Sequence, residues 1–280
     1  KSMKKIIFIK YLYLVLISIL YIFGFFFREN IAGGAELDFL NFTWPVIQAF
    51  KNDFSETIIN YGSYGEGTLP LFHILNAYVN PFSFNEIYFQ ASIAVISLLN
   101  TIFFSKIIEK KYELNKLDSY IFASVFLLLP FFRSSAFWGI TENLGWLFLI
   151  LSIKFYIDYE LKHFKNTKII IFLICLFSSL ALYTRPYLIF FPAFLILEAI
   201  NKKDFIFLKN SALIYFILAI PGLYLIYTWG GIFKIDGGST NLLKDYHNPK
   251  FIFKNLIIFF SIFFFYIIPF EISKVDLKKI

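Results

Sequence analysis

The chain has 280 residues, of which 59% are hydrophobic and 16% charged, with 40 Phe and 18 Tyr. Surface-to-volume scaling leaves a soluble domain of this length too little interior for so much apolar side chain, so lipid is the expected solvent. The formal charge of +7 would suggest nucleic acid as the partner of a soluble protein; here an excess of Lys that anchors cytoplasmic loops explains it, and no nucleic acid is expected.

Met3 with Lys4 and Lys5 reads as a natural start. The apolar run 6–27 that follows can cross about 30 Å of hydrocarbon and has no small-residue cleavage site after it, so a retained first span is expected. Further stretches at 87–108, 118–134, 139–158, 168–184, 186–200, 211–229 and 251–271 bring the expectation to about eight spans. The fold class is therefore an all-α integral membrane protein, a polytopic helical bundle with residues 1–280 as one transmembrane domain. With the N-terminus inside, the cytoplasmic segments collect most of the lysines, among them Lys106, Lys110, Lys111, Lys116, Lys162, Lys202 and Lys203. That bias places the N-terminus in the cytoplasm and the two long loops, 28–86 and 230–250, on the external face. The segment 69–78 is apolar but too short to span, and is expected to be re-entrant or interfacial. Lys10, Lys154, Glu198 and Lys254 lie near span ends and can snorkel. No span carries a carboxylate or His at its centre, which argues against an ion-coupled transporter. Cys175 is the only cysteine, so no internal disulfide exists. Richness in Lys, Ile, Phe and Asn matches the codon bias of an AT-rich genome, and a bacterial plasma membrane is the expected location.

After a Gly-Gly turn in the first loop the pattern becomes helical. Asp38, Asn41, Gln48 and Asn52 share one face, and Leu37, Leu40, Trp44 and Ile47 form an apolar stripe. An interfacial helix is expected there, kinked at Pro45. Its start presents Glu36 and Asp38, either as a general base for an acceptor hydroxyl or simply as acids favoured by the helix dipole. Only three of the 26 basic residues are Arg, and Arg28, Arg133 and Arg185 all fall at the external ends of spans. A guanidinium binds phosphate bidentately, so these residues are candidates for an anionic ligand; headgroup contact or an ion pair is the plainer alternative. Glu142, among aromatic residues at the start of the fourth span, is a candidate for sugar hydroxyls or an ordinary helix N-terminal acid. Asp236 and His247 flank a Gly-rich stretch but show no metal-ligand spacing. His73 sits in the apolar 69–78 segment, where a packed, hydrogen-bonded His is the commoner outcome. A divalent cation is the one cofactor the loops leave open.

The layout resembles the GT-C superfamily of membrane glycosyltransferases. Several patterns are similar to the dolichyl-phosphate-glucose-dependent α-1,2-glucosyltransferases of asparagine-linked glycosylation. Arg28-Glu29 through Asp38 to Pro45 and Gln48 resembles their acidic entry segment, and Thr68-Leu69-Pro70-Leu71-Phe72 their Thr-Leu-Pro-Gly-Leu-Tyr element. Thr141-Glu142 resembles their Tyr-Thr-Glu element, and Arg185 falls where they carry an Arg-Gln-Thr-Asn turn. Gly230-Gly231-Ile232, Asp236 and His247-Asn248-Pro249 resemble their Gly-Gly-Ile, Gly-Asp and His-x-Pro stretch. The acidic doublet is here split as Glu36-Leu37-Asp38, and the Gln-Thr-Asn is missing. Such enzymes usually have further spans, so a short or C-terminally truncated member is expected.

The resemblance implies transfer of a sugar from a polyprenyl-phosphate-linked donor to a lipid-linked glycan or another outer-face acceptor. Asp38 or Glu36 would be the base and Arg185, Arg133 and Arg28 the phosphate ligands. Glu142, Asp236, His247 and His73 would line the sugar and acceptor. A surface-polysaccharide polymerase or ligase, and a non-enzymatic lipid-linked-sugar flippase, are the alternatives.

Overall fold

A computed structural model describes residues 2–30, 34–64, 68–162 and 166–229. These lie in one unit of the chain, Lys1–Phe233; the second, Lys234–Ile280, lies outside the described residues, and with it the expected span 251–271. The described residues are mostly helical, and none of them lies in a strand. Four helices are long and apolar enough to cross a membrane, or five if a bent pair counts as one span.

The first of the four is α1, Ser2–Phe26, apolar around most of its circumference and largely exposed, as a lipid-facing helix should be. It closes on Arg28 in the left-handed region (φ 50). There the N–H of Arg28 bonds the carbonyl of Phe25 and that of Glu29 the carbonyl of Gly24, at 3.1 and 2.9 Å. This pair of bonds satisfies carbonyls that a helix end otherwise leaves open.

The first-loop helix runs as α2, Ala35–Asp38, then a wide π-helical turn, Phe39–Thr43, then α3, Trp44–Asn52. Pro45 has no N–H to give to the preceding turn, and the widened turn lies directly before it, at the place where a kink was expected. The face packed on the protein is Ala35, Phe39, Thr43, Val46, Ile47 and Phe50. Of the expected apolar stripe only Ile47 is buried; Leu37 and Leu40 remain 62% and 47% exposed. The helix is thus apolar on two sides, one against the bundle and one turned away from it. Asp53 caps α4, Phe54–Ile59, by accepting from the N–H of Glu56 at 2.9 Å. The apolar 69–78 segment becomes α5, Leu71–Tyr78, packed on α3 with Phe72 and His73 fully buried.

The second long helix, α6, Glu86–Tyr112, is capped by the Asn85 side chain. The stretch expected as a third span is broken. Helix α7, Lys116–Ala123, passes through a 3-10 turn, Ser124–Leu128, and meets α8, Pro130–Trp138, at 71°. Pro130 cannot continue the helix and disfavours helical backbone at Leu129, which is extended. Gly139, at φ 70, ends α8, and α9, Glu142–Glu160, follows. Next come α10, Thr167–Thr184, a 3-10 turn at Pro186–Ile189, α11, Phe190–Asn201, and α12, Phe205–Trp229. Helix α12 starts six residues before the expected 211, because Asp204 caps it by accepting from the N–H of Phe207 at 2.9 Å.

Packing centres on α9, whose principal neighbours are α6 and α10. Asn100 of α6 donates to the carbonyl of Asn143 at 2.9 Å, and Asn143 donates to the carbonyl of Phe132 at 3.1 Å. Two buried amides therefore tie α6, α9 and α8 together where apolar contact alone would leave their register open. At one end of the bundle Lys10 pairs with Asp118, Lys110 and Lys154 with Asp158, and Lys111 and Lys202 with Glu160. Lys202 also reaches Glu198 at 3.0 Å. Its hydrogen bonds to Glu160 and Glu198 hold this ammonium above the usual lysine range.

Candidate functional site

The three arginines occupy different settings. Arg133 is 9% exposed, and four of its five N–H donors are engaged. Its Nε donates to Glu29 Oε1 at 2.8 Å and its Nη2 to Glu29 Oε2, forming a bidentate pair. Two further donors reach the carbonyls of Leu127 and Leu20, both at 3.1 Å. Leu127 lies in the 3-10 turn ahead of the break, so the guanidinium satisfies backbone that the broken span exposes. Its ring neighbour is Phe137, 5.5 Å from the guanidinium carbon. Gly24 makes the approach possible: a Cβ there would lie 2.4 Å from Arg133 Nη2 and 2.7 Å from Glu29 Oε2. Arg133, a candidate phosphate ligand in the sequence, clamps the exit of α1 to the broken span through four of its five N–H donors.

Arg28 follows from that clamp. The left-handed turn that delivers Glu29 to Arg133 sets the Arg28 guanidinium over the Trp138 ring, 5.7 Å from its centroid. Trp138 is 3% exposed, and its indole N–H has no acceptor among the described residues. Asn30 Oδ1, two residues after Arg28, is likewise buried without a partner.

Arg185 ends α10 in extended backbone ahead of Pro186. It pairs through Nη2 with Glu142 Oε1, while Glu142 Oε2 is buried with no partner among the described residues. Gly145, one turn beyond Glu142, lets α9 approach: a Cβ there would lie 3.3 Å from Arg185 Cγ and 3.4 Å from Leu188 Cδ1. The sequence reading separated these residues into a phosphate ligand and a sugar ligand; the fold makes them a pair.

The acids of the first loop sit at the start of the same assembly. Asp38 is exposed and Glu36 half-buried. Their neighbours Ala35 and Phe39 belong to one buried cluster with Phe72, Phe89, Trp138, Ile140, Leu144 and Leu147. Phe39 lies 6.0 Å from Phe89 and 6.4 Å from Trp138 between ring centroids. One aromatic platform thus carries the acidic helix start, the Trp138 ring under Arg28, and the turn that holds Glu142.

His73 lies beside this platform, fully buried. Its Nδ1 is 2.9 Å from Tyr61 Oη, which is also 3.3 Å from Thr68 Oγ1. Tyr61 stacks on Trp229 at 5.7 Å, and the Trp229 indole N–H donates to the carbonyl of Ile58 at 2.8 Å. Tyr61 and Ile58 thus fasten the end of α12 to the first loop, and His73 backs the Tyr61 hydroxyl from within that loop. Asp236 and His247 lie outside the described residues. Among the described residues, no three His, Cys, Asp or Glu side chains are grouped to hold a metal ion.

Sequence reasoning missed Glu29, Gly24 and Trp138. Glu29 adjoins Arg28 and was readable as its partner, whereas its pairing with Arg133, across 104 residues, has no local signal. No protein-family model matches the chain, and neither a curated protein nor a solved structure does.

Proposed function

We propose that the chain is a membrane glycosyltransferase that takes a sugar from a polyprenyl-phosphate carrier to an acceptor at the external face. One observation supports this most. The acid-bearing start of α2, the Trp138 indole beneath Arg28, and the Glu142–Arg185 pair are joined by a single buried cluster. Within it the Trp138 N–H and Glu142 Oε2 are buried with no partner among the described residues. Burying such groups without a partner costs roughly 1–3 kcal/mol each, which a hydroxyl-rich ligand would offset.

In this reading Asp38, with Glu36 beside it, removes the proton from the acceptor hydroxyl as its oxygen attacks the anomeric carbon. The bond from that carbon to the carrier phosphate breaks on the opposite face, with inversion. Arg185 and Arg28 stabilise the charge left on the phosphate. Before the donor arrives, Glu142 holds the Arg185 guanidinium; the phosphate then competes for it. Trp138 Nε1–H and Glu142 Oε2 contact sugar hydroxyls. Arg133 is left out of the chemistry, since four of its five donors are committed to Glu29, Leu20 and Leu127.

The test uses the full chain in nanodiscs with radiolabelled undecaprenyl-phosphate glucose or dolichyl-phosphate glucose and a lipid-linked oligosaccharide. Asp38→Asn is expected to lower transfer by about 10²-fold or more, and Arg185→Ala to weaken donor use. Full transfer by folded Asp38→Asn, Glu36→Gln and their combination would refute the proposal.

A further inference from the structure

A cavity of ≈ 520 Å³ opens at the opposite end of α9, by Glu160. At 1.5 Å per residue that is about 27 Å from Glu142 along the helix. One wall is aromatic: Phe207 lies 6.3 Å from the Tyr156 ring and 5.5 Å from the Tyr159 ring. Three carboxylates border it, and two are already neutralised by lysines. Asp158 has Lys110 and Lys154, and Glu160 has Lys202 and Lys111. Asp204 differs. It accepts from Tyr159 Oη at 2.5 Å and from the N–H of Phe207 at 2.9 Å, both neutral donors, and no described cation pairs with it.

A carboxylate set against aromatic rings suits an ammonium group, and a primary ammonium can also donate hydrogen bonds to it. The same cavity is bordered by ammonium groups of its own. Lys202, 6.0 Å over the Tyr156 ring, is taken up by Glu160 and Glu198, whereas exposed Lys162, after the end of α9, has no described carboxylate paired with it. Both signs of charge around one aromatic wall match a zwitterion that carries an ammonium and a phosphate. The surroundings say from where it comes. Ile200, Phe205 and Ile206, next in sequence to the lining residues Ala199, Asp204 and Phe207, are 53%, 73% and 64% exposed, as suits a surface against lipid.

We propose that this cavity binds the headgroup of phosphatidylethanolamine, with its ammonium on Asp204 against Tyr156, Tyr159 and Phe207, and its phosphate at Lys162. A headgroup held there ties the end of α9 to the start of α12. The site is independent of glycosyl transfer, and either proposal can fail alone.

The experiment is native mass spectrometry of the full chain, delipidated in detergent and titrated with phosphatidylethanolamine, phosphatidylcholine or phosphatidylglycerol. Phosphatidylethanolamine is expected to bind about tenfold more tightly than phosphatidylcholine, which lacks ammonium protons to donate. Asp204→Asn should erase that preference, because Asn still caps α12 and still accepts from Tyr159 but carries no charge. Lys162→Ala should weaken both zwitterionic lipids. Equal binding of the two by the wild-type chain would overturn the proposal, whatever the variants do. So would a preference that survives Asp204→Asn, or a stronger hold on phosphatidylglycerol.

Discussion

Replacing Arg133 by Ala should destabilise the junction between α1 and the broken span in the absence of any substrate. The substitution strands the Glu29 carboxylate, whose side chain is 13% exposed, and removes the donors to the carbonyls of Leu20 and Leu127. Breaking a buried pair by deleting one partner costs roughly 3–5 kcal/mol. At roughly 2–4 °C per kcal/mol, the figure for chains of about 150–250 residues and an upper bound for this longer one, the melting temperature should fall by on the order of 10 °C. Arg133→Lys should recover only part, because an ammonium cannot reproduce the forked pair with Glu29. Arg133→Met combined with Glu29→Gln should recover more, since no charge is then left buried alone. Gly24→Ala tests the same contact from the other side, as its Cβ would lie 2.4 Å from Arg133 Nη2. The assay is a thermal scan of detergent-purified variants without donor. If Arg133→Ala melts like the wild-type chain but loses donor binding, the clamp is wrong and Arg133 is a ligand after all.

Two further outcomes follow from other contacts. Tyr183 Oη donates to the carbonyl of Leu218 at 2.7 Å and accepts from the N–H of Gly222 at 2.9 Å, so a hydroxyl is inserted into the α12 ladder beside Pro221. Tyr183→Phe should cost roughly 1–3 kcal/mol by leaving both backbone groups unpaired; an unchanged melting temperature would show that α12 closes its own ladder. Gly145→Val should push Arg185 away from Glu142, the Cβ alone lying 3.3 Å from Arg185 Cγ. The expected result is a donor KM raised by about tenfold, roughly the worth of one charge-assisted hydrogen bond, and an unaltered KM would count against Arg185 as the phosphate ligand.

The sequence by itself determined the class of fold. Apolar runs of bilayer length demand helices, because lipid offers the backbone no hydrogen-bond partners. It also located the short α5 and the helical first loop, since proline spacing and 3.6-residue periodicity are local properties. Periodicity could not say which of two apolar faces in α2–α3 meets protein: Phe39 and Phe50 are buried while Leu37 and Leu40 are exposed, and both sets are equally hydrophobic in sequence. Hydropathy likewise missed the break at Leu129–Pro130, where the run stays apolar through a 71° turn. The arginines mark the limit most clearly. Three identical side chains at span ends looked like one set, yet tertiary contacts divided them. Arg133 is held by Glu29 and two carbonyls, Arg185 pairs with Glu142, and Arg28 lies over Trp138. A guanidinium's role depends on which acceptors surround it, and those come from helices far apart in the chain.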